Sequence, residues 1–248
     1  MSNEIVIELA GVDVAHPGAD EARLVHGVDW RIARGAFWVV GGPPGSGRST
    51  LLTTAAGLTR PGGGTLRFFG RDMASATEAE QIDWRRRIGY VFENGGRLFS
   101  HLTVAQNIAL PLAYHATGDD AELGAPVADW LARAELTAQA HAMPSQVSPR
   151  LQQRASLARA LIVPTDVVFV DSPPVSQGAR EARWWQDQLR ALQARGVTVV
   201  VGSNEFAAWL DLAATFALIE DEQFRVLGDA AAVRANRDTA WREFVTVY

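Results

Sequence analysis

Residues 42–50 read Gly42-Pro43-Pro44-Gly45-Ser46-Gly47-Arg48-Ser49-Thr50, with a strand-like apolar run at 37–40 before them and a helical pattern at 49–58 after them. In such a turn successive backbone N–H groups converge on one point, and the positive end of a helix dipole lies behind them. The chemistry this suits is phosphate binding, with Gly42, Gly45, Ser46, Gly47, Arg48, Ser49 and Thr50 as candidate contacts. A P-loop carries lysine where this chain has Arg48, so the pattern fails at one residue. Taken alone, the segment also reads as an ordinary glycine turn before a helix. A second signal is the apolar run 167–170, which ends in Asp171. A carboxylate placed there can help to hold Mg²⁺ beside a loop hydroxyl, here Ser49.

These residues need a sheet and helices to position them. Short β-branched and aromatic runs at 4–14, 24–32, 37–40, 65–69, 89–92, 166–170, 197–201 and 215–219 alternate with helical patterns, which predicts an α/β fold. The first two runs read as an early antiparallel pair. From 93 to 148 helical signals dominate, with helices expected at 104–117 and 126–136, and residues 179–194 form a further amphipathic helix. The expected division is a core of 1–92 and 149–227, a helical lobe of 93–148 and a tail of 228–248.

Composition narrows the function classes. The chain has 248 residues, 48% hydrophobic and 21% charged, which excludes disorder as a whole-chain state. Its net charge of −5 argues against broad electrostatic capture of nucleic acid. The absence of cysteine excludes disulfides and thiolate chemistry. Lysine is also absent, so all 23 basic residues are arginine and a bland Lys-to-Arg drift at position 48 is one reading. The amino terminus is acidic and lacks the features of a signal peptide. The apolar runs are far shorter than the ~20 residues that cross a bilayer.

Upstream of Asp171 stands Ser148-Pro149-Arg150-Leu151-Gln152-Gln153-Arg154-Ala155-Ser156-Leu157-Ala158-Arg159-Ala160-Leu161. With this segment the sequence resembles the ATP-binding subunits of ABC transporters, and the resemblance covers nearly the whole chain. The motif order matches: P-loop, Q-loop at Glu93, signature at 147–151, Walker B at 167–172, D-loop at 175–178 and switch position at Ser203. The resemblance implies a P-loop NTPase core with an antiparallel β subdomain and an inserted helical lobe. It also implies ATP and Mg²⁺ as ligands, membrane permease subunits and a second ATP-binding subunit as partners, and a place on the cytoplasmic face of the inner membrane. By resemblance His16 is the adenine-stacking candidate, Ser148 the surviving signature serine, and Ser49 with Asp171 the metal pair. Phe92-Glu93-Asn94-Gly95-Gly96-Arg97-Leu98-Phe99 and Met143-Pro144-Ser145 are similar to the Mla/Mce lipid-transport branch.

Several positions depart from the family pattern. Arg48 replaces the phosphate-clamping lysine, and Glu93 the Q-loop glutamine. Ser172 stands where the family has its water-polarising glutamate, and serine is no general base near neutral pH. Ser203 replaces the switch histidine and Gly178 the D-loop aspartate. Pro149 and Arg150 replace both signature glycines, removing an N–H and adding bulk. The expectation is a transporter subunit with impaired or absent hydrolysis and an assembly or regulatory role. Two alternatives stand beside it: an active transport ATPase with substituted catalytic residues, and a nonenzymatic interaction protein that no longer binds nucleotide. Arg85-Arg86-Arg87 reads as a solvated helix end before a headgroup site, and at least one of Trp184 and Trp185 is expected in the core. Trp241, Phe244 and Tyr248 are expected to dock on a neighbour or on their own domain.

Overall fold

A computed structural model of the chain describes the backbone of residues 4–16, 19–115 and 120–235, and the side chains of 4–15, 23–114 and 124–235. The terminal aromatics Trp241, Phe244 and Tyr248 lie outside the described residues. Ten strands form one sheet: β1 (Ile5–His16), β2 (Ala19–Ala33), β3 (Phe37–Gly41), β4 (Gly63–Phe68), β5 (Arg71–Asp72), β6 (Ile88–Val91), β7 (Val167–Asp171), β8 (Thr198–Gly202), β9 (Thr215–Glu220) and β10 (Gln223–Gly228). Their order is β5-β4-β1-β2-β10-β9-β3-β8-β7-β6. The β5-β4-β1-β2 side is antiparallel, whereas β9, β3, β8, β7 and β6 run parallel to one another.

The central strands are buried at every position and, apart from Thr198 and Asp171, carry no polar side chain, because both faces are covered. On β3, Phe37 and Val39 face one core while Trp38 and Val40 face the other, as period-2 alternation requires. Val168 and Val170 of β7 join the first core, and Val167 and Phe169 the second. The first core is closed by α3 (Val104–His115), α4 (Asp120–Arg133), α5 (Pro149–Leu161) and α6 (Ala179–Ala194). The second lies against α1 (Arg48–Ala55), β1 and β2. Both Trp184 and Trp185 are buried.

The remaining helices are α2 (Glu78–Arg87) and α7 (Ala230–Ala235). The first is opened by a capping box between Thr77 and Glu80. At its far end Arg87 is not free in solvent: its Nε donates to Asp166 at 2.6 Å and its guanidinium lies 3.6 Å from the Phe69 ring centroid.

Several elements differ from the sequence expectation. The second helix of the 93–148 stretch runs from Asp120 to Arg133 and not from 126 to 136; it stops early because Glu135 takes a left-handed φ of 57° and the Leu136 N–H turns back to the Leu131 carbonyl. Strand β10 was not expected at all. It is joined to β9 by Asp221-Glu222, both with positive φ (47° and 61°), a tight hairpin made without the Asn-Gly or Asp-Gly pair that usually announces it.

A buried ion cluster fixes α5 to α6. Arg154 donates to Glu181 at 3.1 and 2.6 Å and to Glu135 at 2.9 Å, and its guanidinium lies 4.2 Å from the Trp184 ring centroid. At the opposite edge Asp166 accepts from Arg34 at 2.9 Å and from Arg87 at 2.6 Å, tying the ends of β2 and α2 to the start of β7. Burial works against the charged Asp166, but those two hydrogen bonds outweigh it and hold its carboxyl below the ordinary range. A depressed carboxyl contributes stability that is present above the unfolded value of ~4 and is lost as pH falls. Asp166→Asn is expected to lower the thermal midpoint by roughly 2–4 °C at pH 7, equivalent to about 1 kcal/mol. The difference from the parent chain should shrink progressively as pH falls below about 4 and on through the lowered folded-state value, as read by melts across pH.

Candidate functional site

The glycine-rich loop leaves β3 and enters α1 through Gly47, whose φ is 86°. A Cβ there would approach the Leu24 Cβ to 2.7 Å, so both conformation and space demand glycine. The Ser46 N–H closes the turn on the Pro43 carbonyl at 3.0 Å, and Leu51 N–H starts the helix on the Gly47 carbonyl at 2.7 Å. Gly42, Gly45, Ser46, Gly47, Arg48, Ser49 and Thr50 all line one crevice of about 770 Å³. Glu93, Gln153, Ser172, Asn204 and Glu205 line the same crevice.

Strand register brings the rest of the site to this loop. Val40 of β3 and Asp171 of β7 both pair with Gly202 of β8, so three parallel strands end level beside the loop. The Arg48 guanidinium turns toward those strand ends. Its Nη1 donates to Asn204 Oδ1 at 2.7 Å, its Nη2 donates to Ser172 Oγ at 2.6 Å, and its Nε lies 3.9 Å from Asp171 Oδ1. Asn204 Oδ1 also accepts from the Gly42 N–H at 3.1 Å, which ties the root of the loop to the same group. Gly202 leaves room for the pair: a Cβ on it would lie 3.0 Å from Asp171 Oδ1 and 3.3 Å from Arg48 Nε. Ser172 itself has a left-handed φ of 49°, which swings the chain out of β7 immediately after Asp171.

Asp171 is buried, and burial pushes its carboxyl above the usual range. A hydrogen bond from Ser49 and the charge of Arg48 oppose that rise, while the charge of Glu93 adds to it. Tyr90 on β6 reaches the same carboxylate at 3.5 Å, and its hydroxyl is pushed well upward by burial and by Asp171, so it stays protonated. Gln153 on α5 directs its amide nitrogen at the carbonyls of Phe92, Asp171 and Ser172, at 3.2, 2.9 and 3.3 Å.

The other sequence candidates lie apart from this cluster or at its rim. Ser203 is buried, donates its hydroxyl to Glu205 at 2.9 Å and accepts from the Glu205 N–H at 3.1 Å. Ser148 caps α5 in an extended conformation without a side-chain cap bond, outside the crevice lining, although Pro149 and Arg150 are part of it. Arg150 reaches back to Glu181 at 3.4 Å. The His16 backbone ends β1 opposite Ala19, and its side chain lies outside the described residues. Sequence reasoning missed Asn204, Tyr90, Gln153 and Glu205. Asn204 and Glu205 directly follow Ser203, so their proximity to the switch position was the available signal.

Residues 25–175 match the family model described as ABC transporter. The chain belongs to the ABC transporter family, as an ATP-binding domain. The cassette is 30% identical over 215 residues to the intermembrane phospholipid transport system ATP-binding protein MlaF of Escherichia coli K12, covering 86% of this chain and 80% of that one. It is 34% identical over 218 residues to the sulfate/thiosulfate import ATP-binding protein CysA of Caulobacter vibrioides, and 35% over 198 residues to the macrolide export ATP-binding/permease protein MacB of Azoarcus sp. BH72. Those matches take in 86% and 79% of this chain, but the chain spans only 62% of that CysA and 30% of that MacB. Among solved structures, a dimeric post-hydrolysis state of the ATP-binding cassette MJ0796 bound to ADP and Pi superposes with a TM-score of 0.80 at 26% identity, covering 88% of this chain and 95% of that one. The fold is therefore that of an ABC cassette, an α/β P-loop NTPase. Cassettes of this family work as dimers with membrane permease partners and bind ATP with Mg²⁺.

The cassette's donor set does not suit Mg²⁺ as it stands. That ion takes oxygen ligands at about 2.0–2.1 Å in near-octahedral geometry and keeps several waters. Asp171 Oδ1 is closed to solvent, makes no hydrogen bond among the described residues, and already faces the similarly unbonded Arg48 Nε. A cation held at that oxygen must first displace a guanidinium.

Gly47→Ala tests the loop. Holding alanine in the left-handed region costs about 1–2 kcal/mol, before any displacement of Leu24. A lower melting midpoint is expected, together with loss of any ATP-dependent rise in that midpoint.

Proposed function

We propose that the cassette binds adenine nucleotide in the crevice but hydrolyses it weakly or not at all, and acts as an assembly or regulatory subunit of a transporter. The observation that carries this reading is the group at position 172. Where attack by water needs a carboxylate, the chain offers a serine hydroxyl, and that hydroxyl accepts from Arg48. General acid–base assistance contributes about 10²–10⁴-fold, and a positioned electrostatic donor about 10²–10³-fold; such losses overlap and do not multiply. At position 203 the hydroxyl proton is already directed at Glu205.

In this reading Gly42, Gly45, Ser46, Gly47, Ser49 and Thr50 hold the phosphates, His16 stacks on the base, and Ser148 is the signature serine offered to a partner cassette. Residues 1–92 and 149–227 form the core, 93–148 the helical subdomain that meets a permease, and 228–248 a tail. Among the described residues no helix is long and apolar enough to cross a membrane, which suits peripheral attachment through a permease on the cytoplasmic face. The system assigned is Mla/Mce-type lipid transport. Its support is that the MlaF match spans 80% of that protein, against 62% for the CysA and 30% for the MacB named above.

Turnover of the purified cassette, alone and with its permease and any partner cassette, decides between the readings. Background phosphate release with saturable ATP binding is expected. Robust Mg²⁺-dependent turnover abolished by Asp171→Asn overturns the impaired reading, and loss of that turnover in Glu205→Gln or Glu93→Gln would identify the substitute base. Co-purification of the permease with phospholipid supports the lipid assignment, and transfer of a different solute removes it.

A further inference from the structure

We propose that Arg48 is the resident cation of this site and takes the place of a protein-held divalent ion, so that nucleotide binds on the loop amides without needing Mg²⁺. The proposal rests on the reading that the crevice takes nucleotide, and it specifies in what form.

Three observations carry it. First, the guanidinium is held at both ends of its fork and does not hang free in the loop: Asn204 Oδ1 and Ser172 Oγ accept from different nitrogens at 2.7 and 2.6 Å. A planar fork can bridge two acceptors at once, whereas a lysine ammonium is a single point charge on a flexible stem. Second, the fork lies against the buried carboxylate. Arg48 Nε and Asp171 Oδ1 are 3.9 Å apart, both are closed to solvent, and neither makes another hydrogen bond among the described residues. Opposite charges so placed neutralise each other, and a second cation entering between them would meet the first. Third, the neighbouring residues leave space for this arrangement. Gly202 has no side chain to collide with either group, and the Ser172 hydroxyl meets the guanidinium at 2.6 Å.

Arg48 and Ser172 are therefore a matched pair. The arginine reaches across the crevice to donate to the serine hydroxyl, and the same guanidinium donates to Asn204. A plain Lys-to-Arg drift explains the charge at position 48 but not its three partners. The other charges on the crevice wall, Arg150 against Glu93 and Glu205, balance to one excess acid and supply no further cation for Asp171.

The test is equilibrium binding of ATP to the full chain by calorimetry, once with Mg²⁺ and once with EDTA, on the parent and on Arg48→Lys. Affinities within about threefold of each other in the two buffers are expected for the parent. For Arg48→Lys, which frees Asp171 and Ser172, Mg²⁺ is expected to tighten binding by about tenfold or more. Ser172→Ala and Asn204→Ala each release one arm of the fork and should move binding in the same direction, so the test survives if Arg48→Lys does not fold. Binding by the parent only when Mg²⁺ is present overturns the proposal and leaves the nucleotide site intact. Absence of binding in both buffers overturns the nucleotide reading, and the proposal falls with it. Equal indifference to Mg²⁺ in parent and variants overturns the role of Arg48.

Discussion

Three parallel strands, β3, β8 and β7, finish at the same height, and that shared level is the constraint on which the rest of the site depends. Parallel pairing across Gly202 sets Val40 on one side and Asp171 on the other. The glycine-rich loop can then begin beside a carboxylate that is remote in sequence. Level ends are possible because these strands are apolar on both faces and are gripped by two separate cores. A slip of one residue would exchange the faces of a strand and bury its wrong side chains, so the register is strongly enforced. Helix α1 and the turn after β7 inherit their places from it.

Within that frame the departures from the family pattern are linked. Arg48 touches both Ser172 and Asn204, and Asp171 lies beside it. A substitution at any of these positions changes what the others can reach, so they form one altered unit and not separate lesions. The signature region shows the same linkage. Arg150 ends on Glu181, the carboxylate that also holds the buried Arg154. One of the two residues that replace the signature glycines is thereby built into the junction of α5 and α6.

Much of this was legible from residue types. The central strands were read from continuous β-branched runs, the helix at 179–194 from its amphipathic spacing, and the loop from its glycines. Motif order alone brought Arg48, Asp171 and Ser172 into one candidate site. The direction of the Arg48 side chain was not legible, because a long flexible side chain is oriented by acceptors from other strands. Asn204 escaped notice for a related reason: its carbonyl oxygen matters only because β8 ends beside β3. Hairpin β9–β10 was hidden because Asp221 and Glu222 adopt backbone angles that their residue types do not advertise. In the helical stretch, the left-handed Glu135 stopped α4 where a glycine would ordinarily have signalled the end.

Gln153 has one amide nitrogen with two hydrogens, yet three carbonyl oxygens lie within its reach. Those carbonyls belong to the chain just after β6 and to the end of β7, so a single side chain of α5 fastens two strand ends at once, including the one that carries Asp171.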